Sequence, residues 1–225
     1  MFEQHKALIA RVAPFAAFIL VMVAESLVVK IEHLNFDLRW LYALRSGLAL
    51  VCVLVFWKHY TELKSVDSNK VIDWLLSLGV GVGVFFIWIN LTQSWATLGE
   101  AKAYNPYRMG SKDIDWLLLS FRITGSALVV PLIEELFWRS FLMRWIENPK
   151  FTTIKAAQVS VRAIVISSII FALEHHLVLA GFIAGVAYAW LYVRTGNLWM
   201  AITAHAITNG VLGIWVIQTG QWQFW

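Results

Sequence analysis

The chain has 225 residues, 60% of them hydrophobic and only 14% charged, with thirteen tryptophans, four prolines, one cysteine and a formal net charge of +4. That balance excludes an ordinary soluble domain, and the lone Cys52 excludes an intramolecular disulfide. The positive balance sits in connecting segments, at Lys58, Lys64, Lys70, Lys102, Arg108, Lys112, Lys150 and Lys155, which is the loop bias of membrane helices and a match for anionic lipid headgroups rather than for nucleic acid.

Apolar runs long enough to cross a hydrocarbon layer as helices extend over Ala7 to Val29, Trp40 to Trp57, Val71 to Leu91, Trp116 to Ile133, Val159 to Leu173, Leu177 to Val193 and Leu198 to Ile217. Each is continuously apolar, without the alternation that a barrel strand needs. The expected fold is therefore all-α, a polytopic transmembrane helical bundle of seven or eight membrane segments. The first run has Lys6 and Arg11 at its N-terminal end and lacks a small-residue cleavage site after Val29, so a retained span is expected rather than a signal peptide. No linker rich in Pro, Gly or Ser interrupts the sequence, and residues 1–225 read as one membrane domain. Trp40, Trp57, Trp116, Trp199, Trp222 and Trp225 fall near span ends, where amphipathic rings sit among headgroups. Gly79 with Gly83, and Gly181 with Gly185, follow the spacing that lets membrane helices approach closely. The glycines from Gly79 to Gly83 lie inside a span and lack the Lys of a phosphate loop, and Cys52 reads as packing.

The eighth segment is the stretch from Glu134 to Trp145. Seven crossings place Lys6, Arg11, Lys58, Lys64, Lys70, Arg144, Lys150, Lys155 and Arg194 on one side, which the positive-inside rule makes cytoplasmic together with the N-terminus. An extra crossing reverses that preference. Seven crossings also direct Glu134 and His175 toward opposite faces unless a helix tilts or a segment re-enters, and eight are favoured on that ground.

Charges inside such runs demand a reason. Glu135 and Arg139 are four apart, share a helix face and can pair. Glu134 points about 100 degrees away around the axis without a local cation, which makes it a candidate general base, or else part of an interfacial cluster that ends a span. His175 closes an apolar run beside Glu174 and His176, as a functional imidazole or as a solvated turn. His205 and Asn209 occupy consecutive turns of one apolar helix and project to the same side, where they serve either chemistry or an interhelical hydrogen-bonded contact.

Taken in order, Glu134-Glu135-x-x-x-Arg139, Phe171-x-x-x-His175 and His205-x-x-x-Asn209 resemble the three motifs of the intramembrane CAAX prenyl endopeptidases and their prokaryotic relatives, the CPBP or abortive-infection family. The likeness covers about Phe121 to Gly213. The chain is also similar to the prokaryotic CAAX-protease-related proteins associated with exosortase systems. The resemblance implies a glutamate-dependent protease of an inner membrane that needs no cofactor. In it Glu134 and His175 activate a water, and His205 and Asn209 form the oxyanion hole. Glu135 and Arg139 support Glu134, and Phe171 packs beneath the histidine. The implied substrate is a membrane-embedded or lipidated peptide; the loops are shorter than those of a eukaryotic prenyl protease, so prenylation itself is not carried over.

Other designs stay open at this point. The zinc signature His-Glu-x-x-His is absent, yet Glu134, His175 and His205 form a donor set of a known metal-binding type. Ser126 after Gly125 lacks the Gly-x-Ser-Gly pattern of a serine mechanism, and paired intramembrane aspartates are missing. A non-catalytic peptide-binding or immunity protein, or a proton-coupled transporter, would use Glu25, Arg45 and Arg122 as a polar pathway, although two similar helical halves are not evident.

Overall fold

The computed structural model describes residues 2–28, 36–64, 70–101 and 103–225. Val29, the expected end of the first span, and Lys102, counted among the basic connecting residues, lie outside the described residues. Seven helices account for the apolar runs: α1 (Phe2–Val28), α2 (Trp40–Val55), α3 (Val71–Asn90), α4 (Trp116–Glu147), α5 (Val161–Ala172), α6 (Val178–Thr195) and α7 (Leu198–Thr219). Among the described residues there is no strand beyond one isolated bridge between Tyr107 and Ile114. Helices α1, α3, α4, α6 and α7 are long and apolar enough to span a membrane, and α2 and α5 are shorter apolar helices. The protein is an all-α membrane bundle, as its hydropathy predicts.

Local chemistry sets the helix ends. Asp115 accepts from the Leu118 amide at the start of α4, Ser160 from Ala163 at α5 and Asn197 from Trp199 at α7, each satisfying an amide the first turn would leave orphaned. Gly196 and Gly220 close α6 and α7 in the left-handed conformation, both at φ 69°.

One expectation is corrected. The stretch from Glu134 to Trp145 is no eighth segment but the second half of α4, a helix of 32 residues and roughly 48 Å by its rise. The conflict between Glu134 and His175 disappears for the same reason. Glu134 lies near the middle of this long helix, while α5 has only 12 residues and rises about 18 Å. It turns back at Leu173–Leu177 well short of a full crossing, at the depth of Glu134.

The glycine expectation is corrected in part. A Cβ on Gly185 would come within 2.9 Å of Ser168 Cβ, and one on Gly181 within 3.2 Å of Ala172 Cα, so α5 and α6 do meet there. Gly79 and Gly83 have nothing within 4 Å. The close approach of α3 falls instead on Gly81, two residues away on the opposite side, where a Cβ would sit 2.5 Å from the Ala204 carbonyl of α7. The Gly81 carbonyl also accepts from Thr208 at 2.8 Å.

At the end of the bundle holding the N-terminus, Arg11 of α1 binds Glu62 at 2.6 Å and donates to Ser140 of α4 at 2.8 Å. Ser140 also bonds Glu62, and Arg144 lies 3.5 Å from the same carboxylate. Burial opposes ionisation of Glu62, yet the Arg11 charge, hydrogen bonds from Arg11 and Ser140, and the nearby Arg144 outweigh it and hold its carboxyl below the ordinary range.

Two outcomes test this packing. Gly81→Ala should lower thermal stability by about 1–3 kcal/mol, whereas Gly79→Ala and Gly83→Ala should leave it within about 0.5 kcal/mol, read by thermal unfolding in detergent. Because the Glu62 carboxyl titrates lower in the folded state, its contribution is complete above its unfolded value near pH 4.5 and is lost as pH falls through the folded value. A scan of unfolding temperature from about pH 7 to about pH 3 should therefore decline steeply at its acid end for the wild type and less steeply for Glu62→Gln.

Candidate active site

The site is built around irregularities in α4. The helix widens into π-helical turns at Gly125–Val129 and Leu136–Leu142, a feature often found at functional positions. In the first, the Val130 amide bonds back to Gly125, and in that register the next amide would reach Ser126. The next residue is Pro131, which has no N–H. The Ser126 carbonyl is thereby left for a neighbour, and Asn209 of α7 donates to it at 2.8 Å, the rescue by which proline is tolerated in membrane helices. Asn209 is thus fixed in orientation and keeps a second amide hydrogen.

Glu135 is fully buried, and its Oε1 accepts from Arg139 Nη1 at 3.1 Å and from His205 Nδ1 at 3.0 Å. Arg139 also donates to the Gly185 carbonyl at 3.1 Å and lies 4.7 Å from the centre of the Phe171 ring. A buried carboxylate held by a guanidinium is an acceptor, so the proton on Nδ1 belongs to His205 and the neutral ring would present a bare Nε2. That nitrogen faces Glu134 Oε2 at 4.0 Å, an oxygen with no hydrogen-bond partner among the described residues. Glu135 and Arg139 carry opposite charges and offset one another, the pairing that an apolar interior favours.

His175 stands in the turn after α5. Its Nδ1 is 2.9 Å from the Phe171 carbonyl, a group that can only accept, so the neutral ring again carries its lone pair on Nε2. Phe171 packs 4.7 Å from the His175 ring and Trp88 meets it edge-on at 5.3 Å. A cavity of about 290 Å³ brings Glu134, His175, His205 and Asn209 to one surface, from α4, the α5–α6 turn and α7. Phe171 lines the same cavity, and Glu135 and Arg139 lie behind it.

Two contributors escaped sequence reasoning. Tyr188 of α6 stacks on His205 at 4.8 Å with an interplanar angle of 18°, and its hydroxyl donates to Thr208 at 2.8 Å. Tyr188 follows Gly181 and Gly185 on one helical stripe, which is a signal that could have found it; Thr208 has none beyond being polar in an apolar helix. Ser126 donates its hydroxyl to the Ile123 carbonyl at 3.2 Å rather than to an imidazole. Among the described residues no group of three His, Cys, Asp or Glu side chains is placed to hold an ion.

Fold and site together define an integral membrane helical bundle with acids, imidazoles and an amide gathered in its interior. Residues 116–211 match the family model described as Rce1-like, type II CAAX prenyl endopeptidase Rce1-like, which supports the CAAX-protease-like family read from the three motifs and a CAAX-type intramembrane protease in general. All seven motif residues fall within that segment. No curated protein and no solved structure matches the chain.

The double role of Glu135 has a measurable consequence. Glu135→Gln leaves Arg139 buried without its counter-charge and should cost about 3–5 kcal/mol, lowering the unfolding temperature well below that of Glu134→Gln, whose carboxylate supports no such pair. Equal unfolding temperatures would contradict this division.

Proposed function

We propose that the chain is an intramembrane endopeptidase that hydrolyses a membrane-embedded or lipidated peptide near its C-terminus, in a prokaryotic plasma membrane and without a cofactor. The observation that carries this reading is the unpartnered Glu134 carboxylate oxygen, 4.0 Å from His205 Nε2, on the cavity it shares with His175 and Asn209.

In the proposed reaction a water donates one proton to Glu134 and its other hydrogen bond to His175 Nε2, and its oxygen adds to the scissile carbonyl. The oxyanion receives the free amide hydrogen of Asn209 and, from the protonated imidazole, the Nε2–H of His205. The C–N bond then breaks, Glu134 returns its proton to the leaving amine, and a carboxylic acid and an amine are released. Donors held in place away from water typically lower such a barrier by several kcal/mol. Glu135 positions His205 and so selects which nitrogen faces the cavity, an action through another residue. Arg11 and Arg144 meet at Glu62 and Gln4 reaches Pro149, so Lys6, Arg11, Arg144 and Lys150 gather at one end of the bundle, which favours a cytoplasmic N-terminus.

Quenched fluorogenic lipidated peptides in proteoliposomes provide the test. Glu134→Gln should reduce turnover roughly a hundredfold to ten-thousandfold with unfolding temperature retained, and His205→Ala should lower kcat more than it raises KM, because an oxyanion donor acts in the transition state. Full activity should persist in chelator. Wild-type activity in Glu134→Gln would sink the assignment; if the wild type cleaves none of a broad peptide set, a binding or transport role becomes the better account.

A further inference from the structure

The cavity has cationic walls that the reaction does not use. Arg45 of α2 and Arg122 of α4 line it together with Glu134 and His205. The Arg122 guanidinium carbon sits 4.7 Å from the ring centres of both Tyr42 and Tyr104. Arg45 lies 4.6 Å from the same Tyr42 and 4.7 Å from Phe18. Aromatic faces hold a cation electrostatically but satisfy none of its N–H donors. Arg45 pairs with Glu25 at 3.5 Å, a carboxylate that also acts on Arg122 from further away, and Arg122 has no ion pair of its own among the described residues. The Nε of each arginine is buried without a hydrogen-bond partner. Two guanidinium groups with unused donors on the wall of a membrane-enclosed cavity make a receptor for a planar anion, which they can bind through paired hydrogen bonds.

We propose that Arg122 and Arg45 form an anion subsite that holds the C-terminal carboxylate of the peptide, an inference that rests on the endopeptidase reading above. Arg122 and Glu134 are twelve residues apart on one helix, roughly 18 Å along its axis, and the reach of both side chains shortens that span. An extended peptide covers about 3.3 Å per residue, so a few residues separate the cut bond from the anchored end. A lipid phosphate offers similar charge, but the arginines share a cavity wall with Glu134 and Asn209, and a peptide lying across those groups delivers its terminus to them.

The test measures binding, independent of cleavage, on Glu134→Gln protein in phosphatidylcholine nanodiscs. The probes are a fluorescent S-farnesyl peptide with a free C-terminal carboxylate and the same peptide as its C-terminal amide. The acid should bind roughly tenfold to a hundredfold more tightly, Arg122→Gln should remove that preference, and Arg122→Lys should restore part of it. Equal binding of acid and amide, failure of both to bind, or a preference that survives Arg122→Gln overturns the proposal. So does loss of phosphatidylglycerol retention in Arg122→Gln with the peptide preference intact, which assigns the arginines to lipid. Should Arg122→Gln fail to fold, Arg45→Gln and the acid-to-amide ratio of the parent protein still decide. The two readings fail separately: acid preference without cleavage by the wild type sinks only the endopeptidase, and cleavage without acid preference sinks only the subsite.

Discussion

A carboxylate in the interior of a membrane protein persists only when its charge is met by close, well-directed partners, and the bundle is organised around meeting that demand at Glu135. One oxygen of this side chain accepts from Arg139 on its own helix and from His205 on α7. Arg139 in turn donates to the Gly185 carbonyl of α6. Three helices are therefore fixed in mutual depth to within hydrogen-bond tolerance by groups that could not be left unpaired. The close approaches at Gly81 and Gly185 are what allow the helices to come near enough for these bonds. Apolar packing alone would tolerate sliding along the axes, because lipid chains are as apolar as the side chains they replace.

Polar groups elsewhere divide into two kinds. At the end near the N-terminus, Arg11, Glu62, Ser140 and Arg144 spend their hydrogen bonds on one another and on nearby carbonyls, and that cluster joins α1, α4 and the α2–α3 connection. Along the cavity, Glu134 Oε2 and the Nε atoms of Arg45 and Arg122 have no such partner. Buried polar atoms are rarely left in this state; Ser46, Glu135, Trp138 and Ser168 each have one such atom away from the cavity, whereas Glu134, Arg45 and Arg122 line it together. The family match over residues 116–211 includes Arg122 and Glu134, whereas Arg45 comes from a helix outside it.

Hydropathy made the helices legible, with most of the observed ends within two residues of the expected ones. Spacing placed Glu135 with Arg139 and His205 with Asn209 on common faces. Where the reading failed, the cause was depth or direction. Charges from Glu134 onward looked like the end of a span because composition does not register that a helix continues through π-helical turns. The small-residue spacing at Gly79 and Gly83 was real, but spacing does not say which side meets a neighbour, and Gly81 does. Tyr188 and Thr208 are unremarkable in sequence and acquire meaning only through the His205 ring and the Gly81 carbonyl they touch. The link from Pro131 through Ser126 to Asn209 needs the hydrogen-bond register of α4, which no pattern of residue types encodes.

The length and irregularity of α4 are what join these features. A straight helix of regular pitch would turn the Ser126 carbonyl into its own ladder and leave Asn209 buried with an unmet amide. The wide turn before Pro131 exposes that carbonyl, and α7 binds there through Asn209 one helical turn from the point where His205 grips Glu135. Two bonds on successive turns of α7 to two positions of α4 set both the depth and the rotation of one helix against the other. Glu134 then has little freedom of its own. Its backbone is carried by α4 between those two anchors, so the distance from its carboxylate to the imidazole of His205 is imposed by bonds that Glu134 does not make.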